Sequence, residues 1–419
     1  MSSLFIDGVL LDEVKTNILI EDTVIAGIGS ELPIPADAVS VCGEGLAVFP
    51  SLANMHTHAA MSLLRGYGND LPLMKWLRDY IWPAEKRLDD DSVYWGARLA
   101  FTEMVKSGTT LCSDMYFRIP AAARAAADVG LRAILGVNIF GDGDDLSEQQ
   151  VEDLLTELES CGGRVKLAVA PHAVYTVSEK GFIHSAQLCQ RYRLLLHTHL
   201  SETEGEVEDC LRQHGCRPAE YLERMGVFDL VGDRFSAAHG LYLSEEEIAL
   251  LGRRCLTVTH NPCSNLKLGS GHFFPYTELR DAGANVALGT DGCASSNNLD
   301  LIEAARFMAY LQKGVRLNPS VLPAEELLGV ASRNGFRLAG VDAGDIAVGK
   351  EADLMLIDTR SLAFTPNNNT LANLLYSGHG NDVDTVICGG RILMLNRQID
   401  GEEETKSEAS RFARRVLNQ

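Results

Sequence analysis

The chain has 419 residues, 57 acidic against 37 basic, and a formal net charge of -20. No Lys/Arg block is long enough to neutralise a row of phosphates, so nucleic acid and anionic membrane surfaces are excluded as partners; the acidity is that of a solvated surface. Ten cysteines at irregular spacings, with no Cys-x-x-Cys pair, exclude a disulfide framework and a cysteine zinc site.

The N-terminus, Met1-Ser-Ser-Leu-Phe-Ile-Asp-Gly8, lacks a basic segment followed by an apolar one, and no apolar run approaches about 18 residues. A cytoplasmic location is expected. Residues 4–8, 17–21 and 24–28 read as short alternating strands, and the same texture returns at 353–358 and 384–393. The two ends are expected to pair into one small β-domain. Between them, buried strands alternate with helical stretches such as 121–128 and 152–159. Strands are expected to end near Asn54 and to cover 110–114, 132–137, 165–170, 193–197, 234–238, 256–259 and 285–289. Eight strand–helix units predict an α/β fold, a (β/α)₈ TIM barrel, with its site at the C-terminal strand ends. The expected division is 1–48 and 345–398 for the two parts of the β-domain, 49–344 for the barrel and 399–419 for a C-terminal helix.

Polar residues fall at those strand ends. In Met55-His56-Thr57-His58, strand alternation puts both histidines on one side, where they can grip one metal ion. His172 follows the fourth strand, His197 and His199 end the fifth, His239 the sixth and Asp291 the eighth. A single histidine in such a place is most often a structural residue; five strand ends together are hard to attribute to packing. Imidazole and carboxylate are the ligands a catalytic zinc site prefers, with one position open for water. His199 lies nearer the mouth and is the expected ligand, with His197 one layer deeper. Glu202, three residues on, falls in the loop, where its carboxyl can reach a substrate while staying off the metal. Its plainer reading is a carboxylate favoured by a helix start.

The segments MHTHAAMSLLRGYGNDLPLMKWL, IWPAEKRL, APHAVYT, LHTHLSET, AAHG, THNPCSNLKLGSG, LGTDGCASSNNLDL and GDIAVGKEADLMLID run in order through nearly the whole chain. In them the chain resembles the amidohydrolase superfamily, and within it the 5′-methylthioadenosine/S-adenosylhomocysteine deaminases. The resemblance implies a barrel with a composite β-sandwich built from both termini. It also implies one divalent metal, Zn²⁺ ahead of Fe²⁺ or Mn²⁺, on His56, His58, His199 and Asp291. The implied reaction turns the 6-amino group of an adenine nucleoside (5′-methylthioadenosine, 5′-deoxyadenosine, adenosine or S-adenosylhomocysteine) into the inosine analogue plus ammonia. Glu202 would protonate ring N1, Asp291 would take the proton of the attacking water, and His239 would polarise that water. Glu85 resembles the residue that accepts from ribose hydroxyls, His172 a substrate-contacting histidine, and Ser295 a serine near the purine. The plainer reading of Glu85 is one more exposed carboxylate beside Lys86 and Arg87; Trp76 and Trp82 either anchor the helix after the first strand or line the pocket. A homo-oligomer is compatible with exposed barrel helices.

Three departures matter. Binuclear relatives carry a bridging lysine on the fourth strand, whereas Lys166 stands at that strand's start, expected to be buried, with His172 at the mouth; this favours one metal. Members that use S-adenosylhomocysteine place arginines just after the third strand, where this chain reads Gly136-Val-Asn-Ile-Phe-Gly-Asp-Gly-Asp-Asp145. Uncharged 5′ groups are therefore expected to be preferred. Pro50-Ser51 replaces the usual Pro-Gly. The rival readings are a deaminase of guanine, cytosine, a pterin or a triazine, a metal-dependent amidase or lactonase, and a non-catalytic barrel, which should have lost ligands.

Overall fold

Five strands open the chain: β1 (Ser3–Leu11), β2 (Val14–Glu21), β3 (Val24–Gly29), β4 (Val39–Cys42) and β5 (Leu46–Pro50). Eight more follow in the middle: β6 (Leu52–Thr57), β7 (Thr109–Tyr116), β8 (Arg132–Ile139), β9 (Val165–Pro171), β10 (Leu195–Leu200), β11 (Phe235–His239), β12 (Thr257–His260) and β13 (Asn285–Leu288). The last three are β14 (Leu354–Asp358), β15 (Val383–Cys388) and β16 (Arg391–Met394). These come from a computed structural model that describes residues 3–418.

The middle eight form one parallel sheet in sequential order, from β6 to β13. Every residue of β6, β7, β10, β11, β12 and β13 is buried, as strands covered on both faces require. The helices between them start at strong caps: Asp89 accepts from the Ser92 amide, Ser147 from Gln150 and Ser244 from Glu247. β10 begins two residues later than expected and runs to Leu200, so His197 and His199 both lie within the strand.

The two edge strands of the barrel are joined by side chains. Asn54 of β6 accepts the Thr290 amide at 3.1 Å and donates to the Thr290 hydroxyl at 2.7 Å. The Asp291 amide donates to the His56 carbonyl at 3.0 Å. Gly289 makes this approach possible, because a Cβ there would stand 2.4 Å from Asn261 Oδ1 and 2.9 Å from the His56 carbonyl oxygen.

The two ends of the chain do pair. Their sheet runs β16-β15-β14-β5-β1-β2-β3, with β4 also on β1, and β14 lies antiparallel to β5. Its core draws Ile6, Ile18 and Val48 from the start of the chain and Leu354, Leu356 and Ile387 from the end, so neither end buries its apolar face alone. The segment 384–393 is a hairpin, because Gly389 and Gly390 turn it with positive φ of 48° and 71°. The helix Glu402–Leu417 buries Ala409, Phe412 and Val416 and packs on the helix Asp90–Lys106. Among the described residues no helix is long and apolar enough to cross a membrane.

Asp353 ties the terminal sheet to the barrel. It is fully buried and accepts from Arg132 Nη2 at 2.9 Å, Thr110 Oγ1 at 2.9 Å and the Gly389 amide at 3.1 Å. Arg132→Met leaves that carboxylate without its cation and should destabilise the fold by about 3–5 kcal/mol. An unchanged urea midpoint would contradict this role.

Candidate active site

The C-terminal ends of the barrel strands bring His56, His58, His199, His239 and Asp291 around one point. Nitrogens of His56, His58 and His199 lie within 4.8 Å of one another, as do ligand atoms of His56, His239 and Asp291. Because His56 belongs to both groups, they describe one centre. Asp291 Oδ1 is 3.5 Å from His56 Nε2 and 3.3 Å from His58 Nε2. Its other oxygen accepts from Ser264 Oγ at 2.6 Å.

Hydrogen bonds sort the rings. His58 Nδ1 faces the Met115 carbonyl at 2.6 Å and His199 Nδ1 the His172 carbonyl at 2.8 Å. A carbonyl only accepts, so each Nδ1 carries a proton and Nε2 is the nitrogen turned to the centre. His56 Nδ1 lies 2.8 Å from His197 Nε2, and its own Nε2 is buried without a hydrogen-bond partner. His239 is different. Its Nδ1 faces the amide nitrogens of Asn265 at 2.9 Å and Asn261 at 3.4 Å. With these donating, the His239 proton sits on Nε2, which points toward Glu202 Oε2 at 3.7 Å.

The electrostatics ask for a cation. Burial pulls His56 down to about 4 and, with the neighbouring imidazoles, His172 to about 3. Burial opposes charge on His58 too, yet the Asp291 carboxylate lifts it to about 9. Against its own burial, Asp291 is held well below the usual carboxylate range by His56 and His58. Three imidazole nitrogens and an ionised carboxylate on one buried point fit a divalent metal ion.

Three residues at or beside these strand ends are left-handed without being glycine: Ser201 at φ 50°, His239 at 77° and Asp291 at 62°. Each costs on the order of 1–2 kcal/mol, strain of the kind stored where side chains are aimed at a site.

Beside the centre lies a cavity of about 880 Å³ reached by Glu85, His172, Glu202 and Ser295, all four expected substrate residues. Burial raises the Glu202 carboxyl above its ordinary value. Glu85 is half-buried, accepts from Tyr116 Oη at 2.9 Å and is likewise raised by burial, so it is no ordinary surface carboxylate. Ser295 is buried, and its hydroxyl donates to the Gly292 carbonyl at 3.0 Å. Trp76 and Trp82 both line the cavity; Trp76 also anchors its segment through Nε1 to the Tyr67 carbonyl at 3.1 Å.

Two expectations change. Lys166 is exposed rather than buried and donates to the Ala339 carbonyl at 2.7 Å, because β9 opens onto solvent at the end of the barrel away from the histidines. After β8 there is indeed no arginine, and Asp144 pairs with Lys180 on the outside at 2.8 Å. Two cations nevertheless reach the cavity: Lys86 and, from the end of β7, Arg118, bonded to Asp90 at 2.6 Å.

Sequence reasoning left out Asp114, Ser264, Asn261, Asn265 and Glu206. Asp114 accepts the Ala59 amide at 2.6 Å and is raised to about 6 by burial. Both asparagines and Ser264 stand in the quoted segment THNPCSNLKLGSG, which was the available signal. What each of them faces depends on a helix-bearing loop folding back over the mouth.

A parallel barrel whose strand ends gather imidazoles and a carboxylate around one buried point is the arrangement of a metal-dependent barrel hydrolase. The chain belongs to the amidohydrolase family, whose model matches residues 47–393. It is 46% identical to a 5′-deoxyadenosine deaminase of Methanoregula boonei, over 90% of this chain and 86% of that one. It is 40% identical to a 5-methylthioadenosine/S-adenosylhomocysteine deaminase of Syntrophomonas wolfei, over 96% and 95%. Among solved structures, an adenosine deaminase from Xanthomonas campestris with bound zinc superposes with a TM-score of 0.91 at 33% identity, covering 100% of this chain and 99% of that one.

A ligand that binds only the folded centre raises stability. Zinc added to chelator-treated protein should raise Tm, and His56→Ala should abolish the rise. An equal rise in that variant would place the metal elsewhere.

Proposed function

We propose that this chain is a metal-dependent hydrolytic deaminase of adenine nucleosides, replacing the 6-amino group by oxygen and releasing ammonia. The observation that carries this reading is the Glu202–His239 pair, 3.7 Å apart, standing beside the imidazole–carboxylate centre at the floor of the cavity. The deaminase relatives support it.

His56, His58 and His199 through Nε2, and Asp291 through Oδ1, would hold one divalent ion, zinc ahead of iron or manganese. Such an ion supplies the charge that lowers the pKa of a water from about 15.7 toward roughly 7. Asp291 takes the proton of the water that attacks C6, its second oxygen held still by Ser264. His239 donates from Nε2 to the attacking oxygen and stabilises the charge that develops there. Glu202, with its proton affinity raised by burial, protonates ring N1, so that the ring accepts the electron pair as C6 becomes tetrahedral. The C6–N bond then breaks, the proton held by Asp291 leaving with the amine as ammonia, while the proton of the new C6 hydroxyl returns to the Glu202 carboxylate as the C6 carbonyl forms. Glu85, its other contact fixed by Tyr116, accepts from the ribose hydroxyls, while His172 and Ser295 border the nucleoside.

Phe140, Trp82 and Met74 give the cavity an apolar rim, and of the two cations that reach it Arg118 is paired with Asp90. This supports a preference for uncharged 5′ groups. A cytoplasmic location and the division into 1–48, 49–344, 345–398 and 399–419 belong to the same proposal, with which a homo-oligomer is compatible.

An ammonia-release screen should rank 5′-deoxyadenosine, methylthioadenosine and adenosine above S-adenosylhomocysteine. A lead for the last would overturn the 5′ preference, and a lead for guanine or cytosine would overturn the nucleoside. Glu202→Gln should keep one metal per chain by elemental analysis yet lose about 10²–10⁴-fold in kcat; near-full turnover would remove it from this role. Glu85→Gln should raise KM about tenfold, the worth of one charged hydrogen bond, with kcat little changed.

A further inference from the structure

The loop carrying Glu202 is gripped by a second carboxylate that the chemistry above does not use. Glu206, buried in the first turn of the helix Glu204–His214, accepts the Ser201 amide on Oε1 at 2.8 Å and the Glu202 amide on Oε2 at 2.9 Å. Thr203 caps the same helix, its hydroxyl accepting the Glu206 amide at 3.3 Å. In a capping box, a glutamate in this place reaches back only as far as the cap residue's amide. Glu206 reaches beyond Thr203 to the two residues before it. That reach depends on Ser201, whose φ of 50° turns its own amide and the next onto one acceptor, a concavity suited to an anion.

Ser201 has a second set of partners. Its carbonyl accepts the amides of Leu241 and Tyr242, both at 3.0 Å, just after His239. One residue therefore joins the Glu202 loop to the His239 loop, and Glu206 holds that residue. A helix cap alone has no need of either contact.

We infer that Glu206 is a positioning residue, whose carboxylate clamps the Ser201–Glu202 turn and so aims the Glu202 carboxyl at the face of the cavity where the His239 ring stands. The inference rests on Glu202 as the proton carrier. Burial lifts the Glu206 carboxyl to about 7, opposed by the amides it accepts. A glutamine in its place can accept one amide and turns its own NH₂ against the other.

The test uses metal-loaded protein and five variants: Glu206→Gln, Glu206→Asp, Glu202→Gln, the Glu202→Gln/Glu206→Gln double variant, and Thr203→Ala. Glu206→Gln should lower kcat about 100-fold with little change in KM or metal content. Deuterium exchange at the Ser201 and Glu202 amides should quicken. Glu206→Asp keeps the charge but loses reach, and should show an intermediate loss even where the glutamine variant folds poorly. Thr203→Ala should lower Tm and keep kcat. Because Glu206 acts through Glu202, the double variant should be no slower than Glu202→Gln alone. Losses that multiply in the double variant, beside an impaired Glu202→Gln, would overturn this inference and leave the deaminase reading standing. A fully active Glu202→Gln would overturn both.

Discussion

Closure of the barrel between its first and last strands is the contact on which the site depends. β6 and β13 are held together by Asn54 reaching Thr290 and by the Asp291 amide reaching the His56 carbonyl. That seam sets an ionised carboxylate against two imidazoles from the far end of the chain. A side chain at Gly289 would wedge the seam open, so the absence of one atom there governs the distance between His56 and Asp291.

Around the seam, histidines of the same chemistry receive different tasks from the groups behind them. Main-chain carbonyls beside the rings take the Nδ1 protons of His58 and His199 and leave Nε2 facing the centre. Asparagine amides behind His239 reverse the arrangement and leave Nε2 as a proton donor. One barrel mouth thus holds imidazoles turned in both senses without changing residue type. The left-handed residues at Ser201, His239 and Asp291 turn the chain sharply where the side chains must point inward, and the packed strands beneath absorb that strain.

Stability and chemistry are kept at opposite ends. The buried Asp353, with Arg132 and Thr110 around it, locks the terminal sheet to the barrel away from the histidines. The mouth remains free to carry buried carboxylates and strained turns. In parallel barrels the return loops at one face can vary while the other face holds the fold.

The eight barrel strands, the pairing of the two chain ends and the strand-end positions of His56, His58, His199, His239 and Asp291 were legible in the sequence. Period-two alternation and continuous apolar runs are local signals, and the pairing of the ends followed from their shared texture. Both His197 and His199 lie on β10, and His197 Nε2 meets His56 Nδ1 at 2.8 Å. Other features were not legible. Nothing local said that Arg118 reaches the cavity, that Lys166 opens to solvent, or that Glu206 grips Ser201, because each depends on which loop folds over which strand. The sequence by itself determined the fold and the residue types that crowd the barrel mouth, through periodicity and strand order. Only the tertiary structure decided which nitrogen of each histidine carries the proton and which carboxylate is held still, because hydrogen-bond partners distant in the chain set both.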